Sequence, residues 1–355
     1  LVIHRILWLG VAVLALSAAA RVTSDVKLEF PRDRGSHPEF RTEWWYVTGW
    51  LADERGAALG FQITFFSTHP ELGAANPSAF APREILIAHA ALSDPQRGRL
   101  WTDQRIARAG FELAQASESD TEVWIDRWRL ERRGDHYVAT IPGRDFSLEL
   151  TLRPTQPPLL QGIHGYSQKG PSPTAASYYY SEPQLAVSGA IARAGQTTRI
   201  TGSAWLDHEW SSDYLDSAAV GWDWIGINLN DGGALMAFRI RDRAGGALWG
   251  GGSWRRPDGS VRVFEPGEIA FDVRRRWRSP RTGIDYPVSW SVHAGDLQLT
   301  LEPLMDDQEN DARASAGAIY WEGAVSAFVA GTQLAQPIGR GYLELTGYGE
   351  PLRLR

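Results

Sequence analysis

The sequence predicts an all-β protein built from two similar antiparallel domains, and three observations carry that prediction. Short runs of aromatic and β-branched residues recur along the chain, parted by turns rich in Gly, Pro, Asn and Asp. After residue 20, no long apolar stripe at helical spacing carries a proper cap at each end. An aromatic-led hairpin over residues 44–66 has a counterpart of similar length and order over 222–241. The length of 355 residues also exceeds one ordinary domain.

Residues 1–20 stand apart. His4 and Arg5 precede an apolar run over 6–16, too short to span a bilayer, and Ala18-Ala19-Ala20 supplies a small-x-small cleavage site. A signal peptide cleaved after Ala20 is expected. It would export the chain to the periplasm or beyond and leave no stable transmembrane anchor. The absence of cysteine excludes disulfides, thiolate metal sites, cysteine catalysis and lipid attachment through a thiol. The net charge of −6, with no dense basic stripe, argues against nucleic acid as a partner. Protein partners are not legible.

The first domain is expected over 26–175. Its polar approach, with Pro31, Gly35 and Pro38, leads to a strand over 42–51 (TEWWYVTGWL), a turn at 53–56, and a returning strand over 59–66. A loop rich in Pro, Gly and Asn occupies 69–83. Strands follow over 85–92, 122–130 and 136–141, and over 146–152, where FSLELTL alternates so that one face is buried. Residues 156–174, rich in Pro and Gly, form the expected domain crossover. The second domain, expected over 176–355, opens with Tyr178-Tyr179-Tyr180. It continues with a hairpin over 222–241 turning at 230–233, and with strands over 288–293, 297–301 and 341–347.

The densest chemistry lies at Trp205-Leu206-Asp207-His208-Glu209-Trp210 and Gly221-Trp222-Asp223-Trp224. Tryptophan is usually buried, and a buried carboxylate needs a partner or must shift its pKa until it is neutral. Such a cluster lines a pocket or knots a core. On a regular strand, Leu206, His208 and Trp210 share one face while Trp205, Asp207 and Glu209 share the other. Asp207, His208 and Glu209 therefore do not converge on a metal ion. Neither an HExxH pattern nor an EF-hand loop occurs, and no metal or other cofactor is expected. Asp223 shares its face with Ile225, Ile227 and Leu229, so it is either paired with a cation or held partly protonated, as a general acid requires. Trp44, Trp45, Trp210, Trp222, Trp224 and the three tyrosines 178–180 either fill barrel interiors or wall a ligand site that would shield a cation.

Hydrolase patterns are thinner. Gly165-Tyr166-Ser167-Gln168-Lys169-Gly170 has one residue too many for a nucleophile elbow. A carboxylate pair such as Glu43 and Asp207 could cleave a glycosidic bond.

Seven strings, HPEFRTEWWYVTGWL, GFQITFF, GYSQKG, SYYYSEPQL, AWLDHEWSS, GWDWIGINL and GRGYLELTGY, run in order from His37 to Tyr348. Together they resemble the AttH-like branch of the carotenoid 1,2-hydratase (hydroxyneurosporene synthase) family. The resemblance implies two lipocalin-like β-barrels in tandem, with a ligand pocket between or within them. The branch is often labelled a secreted hydrolase; the hydratases add water across a terminal carbon–carbon double bond without a cofactor, and fungal relatives accelerate cycloadditions. The resemblance further implies roles for a His and a Trp two residues later, matching His208 and Trp210. A Tyr and an Asp used on a following strand in the hydratases correspond here to Phe238 and Ile240, a departure that puts carotenoid hydration itself in doubt.

The expected function is enclosure of a hydrophobic small molecule, with addition of water to an isoprenoid-like double bond. Asp207 or Asp223 would protonate the alkene, Trp210, Trp222 and Trp224 would shield the cation, and His208 would handle the water. Glu43, Trp44, Trp45, Tyr178, Tyr179, Tyr180 and Glu209 would line the ligand site. A carrier without chemistry and a secreted ester or glycoside hydrolase are the alternatives.

Overall fold

The computed structural model describes residues 19–70, 76, 78, 80–331 and 336–352. The expected signal peptide lies outside these residues, apart from Ala19 and Ala20. Among the described residues the regular structure is antiparallel β, with two three-residue 3-10 turns at Arg32–Arg34 and Pro266–Glu268. It forms two large curled sheets of thirteen and ten strands.

The first sheet runs in the order Trp101–Arg108, Ile85–Ser93, Ala58–Thr68, Thr42–Asp53, Gln196–Ser211, Ala176–Arg193 and Phe146–Arg153. It continues through His136–Pro142, Trp128–Arg133 and Glu122–Ile125 to Ala114–Ala116, with Leu159–Leu160 and Tyr166–Gln168 added onto Ala176–Arg193. The second sheet is ordered Val261–Phe264, Ala247–Arg255, Ala234–Asp242, Ala219–Leu229, Gly339–Leu345, Ala318–Val329, Leu297–Pro303, Asp285–Ala294 and Ile269–Arg278. The short strand Glu309–Ala312 joins it beside Ala318–Val329. Both aromatic-led hairpins form as expected.

Two expectations change, and two strands are new. The long hairpin Ala176–Arg193/Gln196–Ser211 hydrogen-bonds into the first sheet, so a boundary after residue 175 cuts through that sheet; the crossover falls at 212–218. The tight turn at Ala194-Gly195, both at positive φ, closes this hairpin, and the Pro-rich stretch 156–174 adds two short strands to the first sheet instead of leaving it. The strand expected over 122–130 is two strands, because Asp126 at φ 53° folds Ile125 back against Trp128. The strands Trp101–Arg108 and Ile269–Arg278 carried no clear sequence signal, since as outer strands they bear charge on exposed positions.

Apolar residues collect in three places. One core fills the curl of the first sheet, around Trp45, Phe61, Leu148 and Tyr180. A second fills the curl of the other sheet, around Ile225, Ile227, Trp290 and Trp321. A third, with Tyr46, Trp50, Tyr179, Trp205, Trp224 and Met236, lies where the two sheets meet. The indole of Trp50 donates to the Gly341 carbonyl across that junction at 2.9 Å. Gly60 permits the approach: a Cβ there would stand 2.6 Å from the Ala324 Cβ.

Candidate functional site

Strict alternation along Gln196–Ser211 decides where its chemistry goes. Asp207 and Glu209 look out of the first sheet into a cavity between the two sheets, of about 180 Å³. Leu206, His208 and Trp210 look the other way, into the first sheet's own core. The neighbouring strands repeat the pattern. Trp44 and Tyr46 line the cavity while Trp45 stacks on His208 at 4.7 Å between ring centroids. Tyr179 lines it, while Tyr178 and Tyr180 join the inner core. In the second sheet Trp222 and Trp224 line the cavity and Asp223 turns inward. Gly226 makes room for this packing, since a Cβ there would meet the Trp224 ring at 2.5 Å and Trp205 at 3.1 Å.

Among the described residues four carboxyl groups reach the cavity wall: Asp207 and Glu209 from the first sheet, Glu322 and Glu344 from the second. Asp207, 3% exposed, accepts hydrogen bonds from Ser181 Oγ at 2.5 Å and from the Trp205 indole at 2.6 Å. Burial pushes its pKa up to about 7; these donors oppose the rise and the nearby Glu209 adds to it. Glu209 is answered by a buried cation. Lys169 Nζ lies 2.8 Å from its Oε1, and Ser177 donates to the same oxygen. Burial still raises Glu209 and lowers Lys169, whose ammonium rests over the rings of Phe238 and Tyr179 at 4.3 and 4.7 Å.

Glu322 and Glu344 stand directly opposite each other on adjacent strands. Burial raises both, Glu322 strongly and Glu344 to about 7, and for Glu322 the facing charge of Glu344 adds to the rise. Two such carboxyls do not both ionise at neutral pH without a cation between them. The Trp222 indole donates to Glu344 Oε2 at 2.9 Å. At another part of the wall His89, which burial lowers to about 4, is a neutral imidazole bonded to Tyr320 OH at 2.8 Å and Ser315 Oγ at 2.9 Å. The Ser315 hydroxyl has a nearer acceptor in Gln104 Oε1 at 2.6 Å, so this pair is a link between the sheets and not an activated nucleophile.

The residues on the other face form a closed knot. Glu43 Oε1 lies 2.7 Å from both His208 Nε2 and His37 Nδ1, and Glu43 Oε2 accepts the His37 backbone N–H at 2.8 Å. Burial alone would raise Glu43, but the two imidazoles outweigh it and hold the carboxyl at about 2. Burial lowers His37 too, yet Asp33 and Glu43 together bring it above the ordinary histidine value. Burial lowers His208, so its ring is neutral; Nε2 donates to Glu43 and Nδ1 accepts from the Tyr180 hydroxyl at 3.2 Å. Trp210 stacks on His37 at 3.8 Å. His37, Glu43 and His208 place ligand-type atoms within 4.8 Å of one another and could hold a metal ion of the type that two imidazoles and a carboxylate suit. In the geometry seen they satisfy each other.

A family model of AttH-like proteins matches residues 21–348. The chain belongs to the AttH-like family. The crystal structure of an AttH from Nitrosomonas europaea is 52% identical and superposes with a TM-score of 0.87, covering 93% of this chain and 99% of that one. Kievitone hydratase from Nectria haematococca shares the fold at 13% identity and TM-score 0.68, covering 94% and 95%. CghA, solved with Sch210972, is more distant, at 12% identity and TM-score 0.50, covering 87% and 89%. Among curated protein sequences none matches.

In this AttH-like chain the site residues expected from sequence divide cleanly. Asp207, Glu209, Trp44, Tyr179, Trp222 and Trp224 meet at the cavity. His208, Trp210, Glu43, Trp45, Tyr178 and Tyr180 do not, because each occupies the alternate position of a strand whose other face forms the cavity wall. Glu43 and Asp207 thus lie on opposite faces of the sheet and are not a glycosidase pair. Asp223 resolves to the paired alternative, with Arg239 Nη2 at 2.6 Å, Arg241 Nε at 3.2 Å and the Tyr348 hydroxyl at 2.8 Å. Phe238 and Ile240 do line the cavity, as apolar wall. Sequence reading missed Lys169, Glu322 and Glu344. Glu322 and Glu344 carried a usable signal, a charged residue inside a mostly apolar or aromatic stretch (AIYWEGAV, GYLELTGY), where an unpaired charge is rarely tolerated, whereas Lys169 lies in the polar string GYSQKG and carried none.

Proposed function

We propose that this AttH-like protein encloses a small, largely apolar ligand between its two sheets and adds water to a carbon–carbon double bond in it. The observation that carries the reading is the Asp207 carboxyl on the cavity wall, buried and poised near pH 7. A general acid works best with a pKa close to the working pH. The likeness to kievitone hydratase in overall fold supports the same class of reaction. Asp207 transfers its carboxyl proton to one alkene carbon, forming a C–H bond and a carbocation at the other. The faces of Trp44, Trp222 and Trp224 stabilise that positive charge. Water adds to the cation, and the proton it sheds returns to Asp207, so water is consumed and the acid is regenerated.

A cavity of about 180 Å³ is close to the engineered cavity of about 150 Å³ that holds benzene. It therefore suits a prenyl group or a single ring better than a whole carotenoid chain. The test is incubation with prenylated phenols in H₂¹⁸O, reading incorporation of labelled water by mass spectrometry. Asp207→Asn should cut turnover by roughly 10²- to 10⁴-fold while ligand binding persists. Full turnover in that variant, or no labelled product from the wild type with any ligand that binds, would sink the proposal.

A further inference from the structure

The second sheet's end of the cavity carries a feature that water addition does not use. Glu322 is 3% exposed, and its Oε1 makes no hydrogen bond of good geometry among the described residues. The Tyr46 hydroxyl on the facing wall, 7% exposed as a residue, interacts with this carboxyl and opposes the rise in its pKa, but is not placed to make a well-formed hydrogen bond to it. Unsatisfied buried groups of this kind are uncommon, and one inside a cavity points to something that occupies the cavity. Directly across from Glu322 stands Glu344. Among the described residues the cavity wall holds one side-chain cation, Lys169, already paired with Glu209 at 2.8 Å. His89 is neutral. Negative capacity at the Glu322/Glu344 end therefore exceeds what the protein itself compensates.

The surroundings are aromatic. Tyr46, Trp222, Trp224 and Tyr320 border this end of the cavity, and Trp224 is the cross-strand neighbour of Glu344. Carboxylates between aromatic faces are the chemistry that recognises an organic cation: the acids supply Coulombic attraction and the rings supply cation–π attraction on the remaining sides. A neutral apolar ligand would leave the Glu322 carboxyl buried with only the poorly placed Tyr46 hydroxyl to answer it. A ligand nitrogen carrying positive charge answers it and allows the facing carboxyls to ionise together.

We propose that the Glu322/Glu344 end of the cavity binds the cationic nitrogen of an amine or quaternary ammonium ligand, with the ligand's apolar part extending toward Asp207. The inference rests on the reading that this cavity is the ligand site and narrows the ligand class it takes.

The probe is phenyltrimethylammonium, compared with its neutral isostere tert-butylbenzene, each titrated against the full chain by tryptophan fluorescence at pH 8. The wild type should bind the ammonium at least tenfold more tightly than the isostere. In Glu322→Gln that preference should vanish while tert-butylbenzene still binds, which shows the cavity intact. Glu344→Gln gives the same readout should the first variant not fold. Equal affinity for the two probes in the wild type overturns the inference, as does an ammonium preference that survives both substitutions, or no binding of the ammonium. The water-addition reading fails separately, through Asp207→Asn. A protein that hydrates neutral alkenes yet ignores the ammonium overturns this inference alone.

Discussion

Asp207 shows how one side chain's burial reaches into the behaviour of the protein. Its pKa rises from 3.8 to about 7 on folding, so the folded state holds that proton more tightly than the unfolded chain does. The consequence for stability has a definite sign. Below pH 4 the group costs nothing; as the pH climbs through 7, ionising it in place costs up to roughly 4 kcal/mol. Asp207→Asn removes the titration. Its melting temperature relative to wild type should therefore rise between pH 5 and pH 8, and a constant or falling difference in thermal unfolding would contradict the assignment. Glu43 runs the other way. Its depressed pKa stabilises the folded state above the ordinary glutamate range and ceases to do so as the pH falls through about 2. The two carboxyls lie on neighbouring strands, but Asp207 meets only neutral donors beside the Glu209 carboxyl while Glu43 meets two imidazoles.

At the scale of the strand, period-two alternation is legible in the sequence alone. It separated His208 and Trp210 from Asp207 and Glu209, and it placed Asp223 with Ile225 and Ile227. What alternation could not supply was which face turns toward the ligand, because each sheet has an apolar side within its own curl and another against its neighbour. The family resemblance pointed to His208 and Trp210, whereas the geometry gives that face a knot in which His208 uses both ring nitrogens. Asp223 is the sharper case. Replacing it with Asn leaves Arg239 and Arg241 buried without a counter-charge, since their side chains are only 14% and 7% exposed. Removing one partner of a buried pair costs roughly 3–5 kcal/mol. Asp223→Asn should thus lower the denaturant midpoint markedly while turnover per folded molecule stays near wild type. Loss of turnover in protein that remains folded would return Asp223 to the list of acids.

For the whole molecule, the cavity belongs to neither sheet alone. Asp207, Glu209 and Tyr46 come from one, Trp222, Glu322 and Glu344 from the other, and the junction depends on close contact at Gly60. A Cβ there would fall 2.6 Å from Ala324 and 2.7 Å from the Tyr342 hydroxyl. Gly60→Val should wedge the sheets apart, costing about 1–3 kcal/mol by overpacking and weakening ligand binding through the displaced wall. Unchanged stability and affinity in the two assays would mean that the junction yields without effect on the site.

The sequence by itself determined the all-β class, the paired aromatic hairpins, the AttH-like family and the division of each strand into two faces. These follow from local patterns, which depend on residue type and spacing along the chain. The tertiary structure alone decided that Ala176–Ser211 belongs to the first sheet, that Asp207 and not His208 meets the cavity, and that Glu322 and Glu344 join it from more than a hundred residues away. The reason is physical. Pairing register and the stacking of one sheet on another are long-range choices, and whether a buried carboxyl ends up ionised, neutral or waiting for a ligand depends on groups its own strand does not contain.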